Sequence, residues 1–359
     1  MTSAEVLISC HDINAALAFY CDRLGFRVDS IFPAESPSVA VLRGYGFRLR
    51  LDPAAPTHPV SLRLRADDPR LFGGEGVIVA PDGTTVEILD ADPPLELPPV
   101  QQSFVLSRAA DGWSVGRAGM RYRDLIPDRQ GGRFVGSNIQ IPTGGPVPDY
   151  VHFHKIRFQM IYCSRGWVKL VYEDQGDPFI MKAGDCVLQP PRIRHRVLES
   201  SAGLEVVEIG CPALHETVAD PDTALPTGKL DPARDFGGQR YAFHAADSAA
   251  WAPTHSGFVS RRFGFYEATK GLAEAAVLKP ANVTDPASAN NDGALIHSHD
   301  GEFLFTFVLE GTTTLQRAGV PDEALRTGDC FVMPAGEKFA LAARSGDLEL
   351  LEVALPGTV

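Results

Sequence analysis

Two stretches of this chain repeat one another. HFHKIRFQMIYCSRG (152–166) aligns with HSHDGEFLFTFVLEG (297–311), so that His152 meets His297, His154 meets His299 and Gly166 meets Gly311, each 145 residues on. Further along, GDCVLQP (184–190) aligns with GDCFVMP (328–334) at an offset of 144, and upstream NIQIPTGG (138–145) loosely matches AAVLKPAN (275–282). A register held over about 110 residues per copy means that one folding unit occurs twice. In both copies short apolar runs such as WVKLVYE (167–173) and DCFVM (329–333) are bounded by Gly and Pro, which is a strand pattern. The expectation is a mainly β chain containing two tandem barrels.

Length leaves room for more than the repeat. At about 150 residues per domain, 359 residues suggest two or three domains. Two proline-rich stretches, ADPPLELPPVQQ (91–102) and the segment 211–235, lack sustained periodicity and read as connectors. They divide the chain into 1–92, 103–212 and 236–359. Charge narrows the partners: 33 Lys plus Arg against 45 Asp plus Glu gives −12, a balance that repels a phosphate backbone and argues against nucleic acid. No apolar run approaches the roughly 18 residues that span a bilayer, and the opening MTSAEVLISC carries Glu5 and no basic region. A cytoplasmic protein without a membrane partner is expected. The six cysteines (Cys10, Cys21, Cys163, Cys186, Cys211, Cys330) form no CxxC pair, so reduced thiols are expected. Cys186 and Cys330 share one repeat position and read as packing residues.

The first segment has a different grammar. EVLIS (5–9) is strand-like, Asp12 can cap a helix with apolar face Ile13, Leu17, Tyr20 and Leu24, and Gly25 can end it. FRVDSIF, SVAVLR and FRLRL then supply three more strands. This β-α-β-β-β order, with AALAFYCDRLGFRV, resembles the glyoxalase/bleomycin-resistance (vicinal oxygen chelate, VOC) family, and APDGTTVEILD (80–90) looks like that family's closing strand. The resemblance implies a small α+β domain. It also places Glu5 and Glu87 at positions where the family carries ligands, with His58 the one histidine of the shortened second module; a structural or oligomerising role is the expectation here.

Candidate chemistry concentrates in the middle segment. One residue separates His152 from His154, and the period of 2 in a strand sends both imidazoles to one face. Gln159 lies in the next apolar run and His195 follows the turn QPPRIR, so three imidazoles and an amide oxygen can share a single divalent ion. Tyr150 has the strand parity of His152 and is a candidate to aim its hydroxyl at the site. Arg157 has the parity of Gln159 and is a candidate clamp for a substrate carboxylate. Arg194 and Arg196 alternate away from His195 and are expected on a solvated face.

These residues resemble the cupin superfamily. His152, His154, Gln159 and Gly166 occupy its first motif, with Gln in the Glu slot; Gly184, Pro190 and His195 occupy its second, with Arg192 in the inner Gly slot. The resemblance implies two tandem double-stranded β-helix (jelly-roll) barrels following the VOC-like βαβββ domain. In the second copy Leu304 stands in the place of Gln159 and Phe339 in that of His195. His297, His299 and the nearby Glu302 lack a closing ligand there, so the second barrel is expected to be degenerate.

Three neutral imidazoles and an amide leave a +2 charge uncompensated, which favours a small, oxygen-rich, anionic substrate. An intact first barrel beside a degenerate second one resembles the gentisate/salicylate ring-cleaving dioxygenases. That resemblance implies Fe(II) and cleavage of a C–C bond by dioxygen. The alternative, second to that one, is that the His-His-Gln-His set is similar to cupin isomerases, cyclases and lyases that use Zn(II), Ni(II) or Mn(II) as a Lewis acid. A small-molecule-binding sensor is a third reading, because a fold does not fix a function.

Overall fold

The computed structural model describes residues 4–33, 36–116, 119–254, 257–281 and 296–356. The chain divides into two compact units at Pro94/Leu95. Among the described residues no helix is long and apolar enough to cross a membrane.

In the first unit, strand Val6–Ser9 runs parallel to Phe47–Asp52, which pairs with Val39–Gly44, which pairs with Arg27–Phe32. The crossover between the first two strands begins where the Asp12 side chain accepts the backbone N–H of Ala15, satisfying a donor that the first helical turn leaves open. The expected single α-helix changes pitch. Ile13–Leu17 is α-helical and Ala18–Arg23 is a π turn, so Phe19 and Tyr20 both reach the core and Leu17 is only partly buried. A three-stranded sheet follows, with Ser61–Ala66 parallel to Thr85–Asp90 and Gly76–Val79 on the other side. Both sheets share one core around Tyr20, Leu42, Leu49, Val86 and Ile88.

The second unit holds two barrels. In the first, the sheet containing Val135–Ile141, Leu204–Cys211, Phe158–Arg165 and Cys186–Leu188 faces a sheet containing Phe179–Lys182, Trp167–Tyr172, His195–Ser200 and His152–His154. In the second, Glu274–Pro280, Glu349–Leu355, Phe303–Glu310 and Cys330–Val332 face Glu323–Arg326, Thr312–Arg317 and Phe339–Ala342. The sequence repeat survives down to irregularities. Both copies break register at the same place, between Cys163 and Arg165 and between Val308 and Glu310. Both then turn through a left-handed glycine, Gly166 (φ 76°) and Gly311 (φ 77°), where an added Cβ would strike a serine hydroxyl.

Two features depart from a simple string of barrels. Val105–Ser107, which precedes the first barrel, pairs with Cys330–Val332 of the second, and Ala242–His244, which precedes the second, pairs with Cys186–Leu188 of the first. Each barrel therefore lends the other a strand. The segment 211–235, read from sequence as a connector, also supplies Thr217–Ala219, which pairs antiparallel with His152–His154. That strand is too short and too polar to register as periodicity. Backbone bonds from Lys155 N–H to Glu216 and from Asp220 N–H to Val151 hold it in place.

The barrels pack through a common apolar layer in which Phe134 stacks on Phe303 with ring centroids 4.0 Å apart. Both rings are fully buried, so Phe303→Ala should cost about 3–5 kcal/mol through lost burial and a cavity. Urea unfolding followed by fluorescence would register this as a lowered midpoint.

Candidate metal centre

Register builds the site. His152 and His154 sit on one short strand, and His152 lies directly opposite His195 on the neighbouring strand. Alternation then brings three imidazoles to the interior face, with ring centroids 4.4 Å (His152–His195), 5.2 Å (His152–His154) and 5.3 Å (His154–His195) apart. One ring nitrogen from each lies within 4.8 Å of the others, and this is the one such group of His, Cys, Asp or Glu among the described residues.

The opposite edge of each ring is tied down. His152 Nδ1 is 2.8 Å from the Tyr150 carbonyl and His195 Nδ1 is 3.0 Å from the Ile193 carbonyl. A carbonyl only accepts, so both rings must donate from Nδ1, which leaves the Nε2 lone pair as the atom that could bind a metal. His154 Nδ1 is 2.9 Å from Thr217 Oγ1, a hydroxyl brought in by the recruited strand. Asp149 backs His152 at 3.7 Å.

Gln159 enters the same cavity from the facing sheet, on Phe158–Arg165, and is 2% exposed. Its Nε2 donates to Glu208 Oε1 at 3.2 Å. The Gln189 Nε2 amide donates to His195 Nε2 at 3.0 Å, a bond that a metal ion at this nitrogen would replace, and Gln189 Oε1 is buried without a hydrogen-bond partner among the described residues. A buried orphan oxygen beside converging imidazoles suits a divalent ion. Three neutral nitrogens plus amide oxygens match the borderline donor set of Fe(II), Zn(II), Ni(II) or Mn(II). The residues present therefore fit a metal ion.

Around the histidines lies a cavity of about 370 Å³. Tyr172 is fully buried, stacks on His195 at 5.5 Å, and has a hydroxyl with no partner; burial raises its phenol above the usual range. Tyr150 is half exposed and edges toward His152 at 5.7 Å, lining the cavity as its parity suggests. Arg157, read as a clamp, does not line the cavity: Glu302 holds its guanidinium at 3.0 and 3.1 Å. Arg194 lies outside the cavity, as its parity predicts, and its partly exposed side chain bonds Glu173 and Asp220. Arg192 takes φ 62°, which explains why a glycine suits that place in the motif.

Glu208, Gln189, Thr217 and His215 also line the cavity and were missed by the sequence reading. His215 Nδ1 donates to the Pro212 carbonyl at 3.0 Å, its ring centroid lies 5.4 Å from that of His154, and burial lowers its basicity. A signal for Glu208 existed: LEVVEIG (204–210) repeats as LELLEVA (348–354), with one charge among inward apolar residues.

The second barrel has filled its interior instead. Leu304 is buried in an apolar cluster with Phe331 and Phe339. His297 stacks on Phe339 at 5.2 Å, and His299 Nε2 is taken by the Met333 carbonyl at 2.7 Å. Glu302 pairs with Arg133 and Arg157. In the first unit Glu87 pairs with Arg63 at 2.7 Å, while Glu5 and His58 are exposed. Cys186 and Cys330 are buried, and burial pushes the Cys330 thiol up to about 12.

Comparison with known proteins agrees with this architecture. Residues 3–88 match the Glyoxalase/Bleomycin resistance protein/Dioxygenase superfamily, and residues 289–354 match the Cupin domain. The chain carries a glyoxalase-like domain at its N-terminus and a cupin domain near its C-terminus. Oxalate decarboxylase from Bacillus subtilis superposes with a TM-score of 0.51 at 13% identity, covering 73% of this chain and 78% of that one. Protein Ylba from E. coli gives 0.50 at 11% identity (73% and 95% covered), and a putative glyoxylate induced protein from Pseudomonas aeruginosa gives 0.50 at 12% (75% and 95%). At such identities the likeness is one of fold, and it matches two cupin barrels in tandem. A search of curated proteins finds no match to the sequence.

Two measurements follow from the site. Thr217→Val removes the partner of His154 Nδ1 and should weaken metal binding about 10- to 100-fold, read by competition with a chromogenic chelator. Glu352 occupies in the second barrel the place of Glu208, and burial pushes its carboxyl up to about 7. Its folded value lies above the unfolded one, so it subtracts stability as pH rises from the unfolded value through about 7. Glu352→Gln should therefore be the more stable protein at about pH 8 and nearly equal to the parent at about pH 5 in urea titrations.

Proposed function

We propose that this chain is a metal-dependent cupin enzyme acting on a small organic acid or phenol, with His152, His154, His195 and the Gln159 amide oxygen holding one divalent ion, Fe(II) by preference. The observation that carries the reading is the convergence of three imidazoles, two of them with Nδ1 held by backbone carbonyls, inside a largely apolar cavity. Bound there, Fe(II) would supply the redox chemistry by which dioxygen cleaves a C–C bond of a chelated hydroxy acid.

The protein's own contribution is to orient and to shield. The Nδ1 bonds of His152 and His195 to backbone carbonyls hold each ring in direction and put its proton on Nδ1. The Glu208 carboxylate turns the Gln159 amide so that its oxygen is left for the ion. Aliphatic walls exclude water, which strengthens electrostatic interactions within the cavity. Tyr150 stands at the mouth, half exposed, where an incoming ligand passes it.

A second reading is a redox-neutral isomerase, cyclase or lyase using Zn(II), Ni(II) or Mn(II). Glu208 favours it, because a carboxylate facing the cavity can carry a proton between two atoms of one substrate. The oxalate decarboxylase fold neighbour is compatible with either chemistry on small acids.

Elemental analysis of protein purified without added metal, together with an oxygen electrode, separates the two. Near-stoichiometric iron and substrate-dependent oxygen uptake support the dioxygenase. Zinc, nickel or manganese with turnover but no uptake, lost in Glu208→Gln, supports the second reading. His195→Ala should lose metal while His297→Ala retains it; the reverse would overturn the choice of barrel.

A further inference from the structure

The interior of the first barrel is graded along its strands. On Phe158–Arg165 the inward residues run Gln159 then Ile161; on Leu204–Cys211 they run Glu208, Val206, Leu204; on Trp167–Tyr172 they run Tyr172, Leu170, Val168. Register aligns these rows. Ile161 lies opposite Glu208, Leu170 opposite Val197 and Ile139 opposite Val206. Two residues of strand advance about 7 Å, so beyond Gln159 one sheet presents first Ile161 with Glu208, then Ile139 with Val206 and Ile141 with Leu204, while beyond His195 and Tyr172 the other sheet presents Leu170 with Val197, and the lining passes from polar groups to hydrocarbon. Both parts of the lining border the same cavity of about 370 Å³, at the small end of the roughly 300–1,000 Å³ range of ligand sites.

Among the described residues no lysine or arginine lines this cavity. Arg157 and Arg194 belong to Glu302 and to Glu173 with Asp220. A compact dicarboxylate could place one end at the histidines, but its second carboxylate would meet the Glu208 carboxylate and Ile161, Leu170 and Val206 with no cationic side chain among the described lining residues, a costly burial. A hydrocarbon body in the same place would gain from leaving water.

We propose that the ligand of this cavity is a small monoanionic acid or enolate, with paired oxygens at the histidine end and an apolar, hydrocarbon body against the aliphatic tier. The inference rests on the metal-site reading above and adds to it the half of the substrate that the metal does not touch. It sets this site apart from one built for an all-oxygen dianion.

The test uses the full chain loaded with Co(II), whose visible absorption reports both metal capture and ligand entry. Benzoylformate and ketomalonate share a 2-oxo-carboxylate head and differ in the body, phenyl against carboxylate. Benzoylformate should shift the cobalt bands with an affinity at least about tenfold above that of ketomalonate or oxalate. Ile161→Thr should narrow that preference while leaving the bands of the ligand-free protein unchanged. Equal or tighter binding of ketomalonate or oxalate, or bands that no acid perturbs, would overturn the inference and leave the metal site standing. Absence of the cobalt bands would overturn the metal-site reading, and the inference with it.

Discussion

A neutral imidazole has one donor and one acceptor, and which nitrogen is which depends on what the ring touches. At His152 and His195 the question is settled by backbone carbonyls, which can only receive a proton. Those bonds come from the chain two residues upstream in both cases, Tyr150 and Ile193, so the strand entry that positions each ring also sets its protonation. The third ring relies on Thr217, delivered by a segment that lies outside the sequence motifs. Without these bonds, the short strand His152–His154 would place the rings but leave their lone pairs undirected.

The duplicate shows what the same scaffold does when the chemistry is removed. Leu304 and Phe339 turn two donor positions into core, and the remaining histidines are absorbed by a stacking contact and a carbonyl. Glu302, left over in the second copy, neutralises arginines of the first copy. One carboxylate is retained in both interiors: Glu208 has the Gln159 amide to bond, whereas Glu352 lies beside aliphatic neighbours and shifts toward its neutral form.

Much of this was legible in the residues alone. Strand alternation predicts that His152 and His154 share a face, and the repeat offset identifies which donors the second copy lacks; neither inference needs coordinates. The N-terminal sheet order follows from the β-α-β-β-β grammar, although the change from α to π pitch after Leu17 left no mark in the apolar spacing. What escaped was whatever depends on two distant segments meeting. The fate of Arg157 is decided by Glu302, 145 residues away. Thr217 and His215 lie in a stretch whose proline and aspartate content conceals a three-residue strand held by pairing rather than by propensity. The carboxylate partner of Arg194 escaped likewise, since Asp220 arrives on that segment.

The exchange of edge strands bears on how such a chain can change over time. Cutting it between the barrels would strip Val105–Ser107 from the edge of one sheet and Ala242–His244 from the other, baring two rows of unpaired backbone groups that invite association with other chains. The second copy, with Leu304 and Phe339 in the places of Gln159 and His195, is thereby tied to the first by topology: deleting it would bare the border of the first barrel's sheet. Inheritance of the pair as a single piece follows from who completes whose sheet, independent of any activity the second barrel once had.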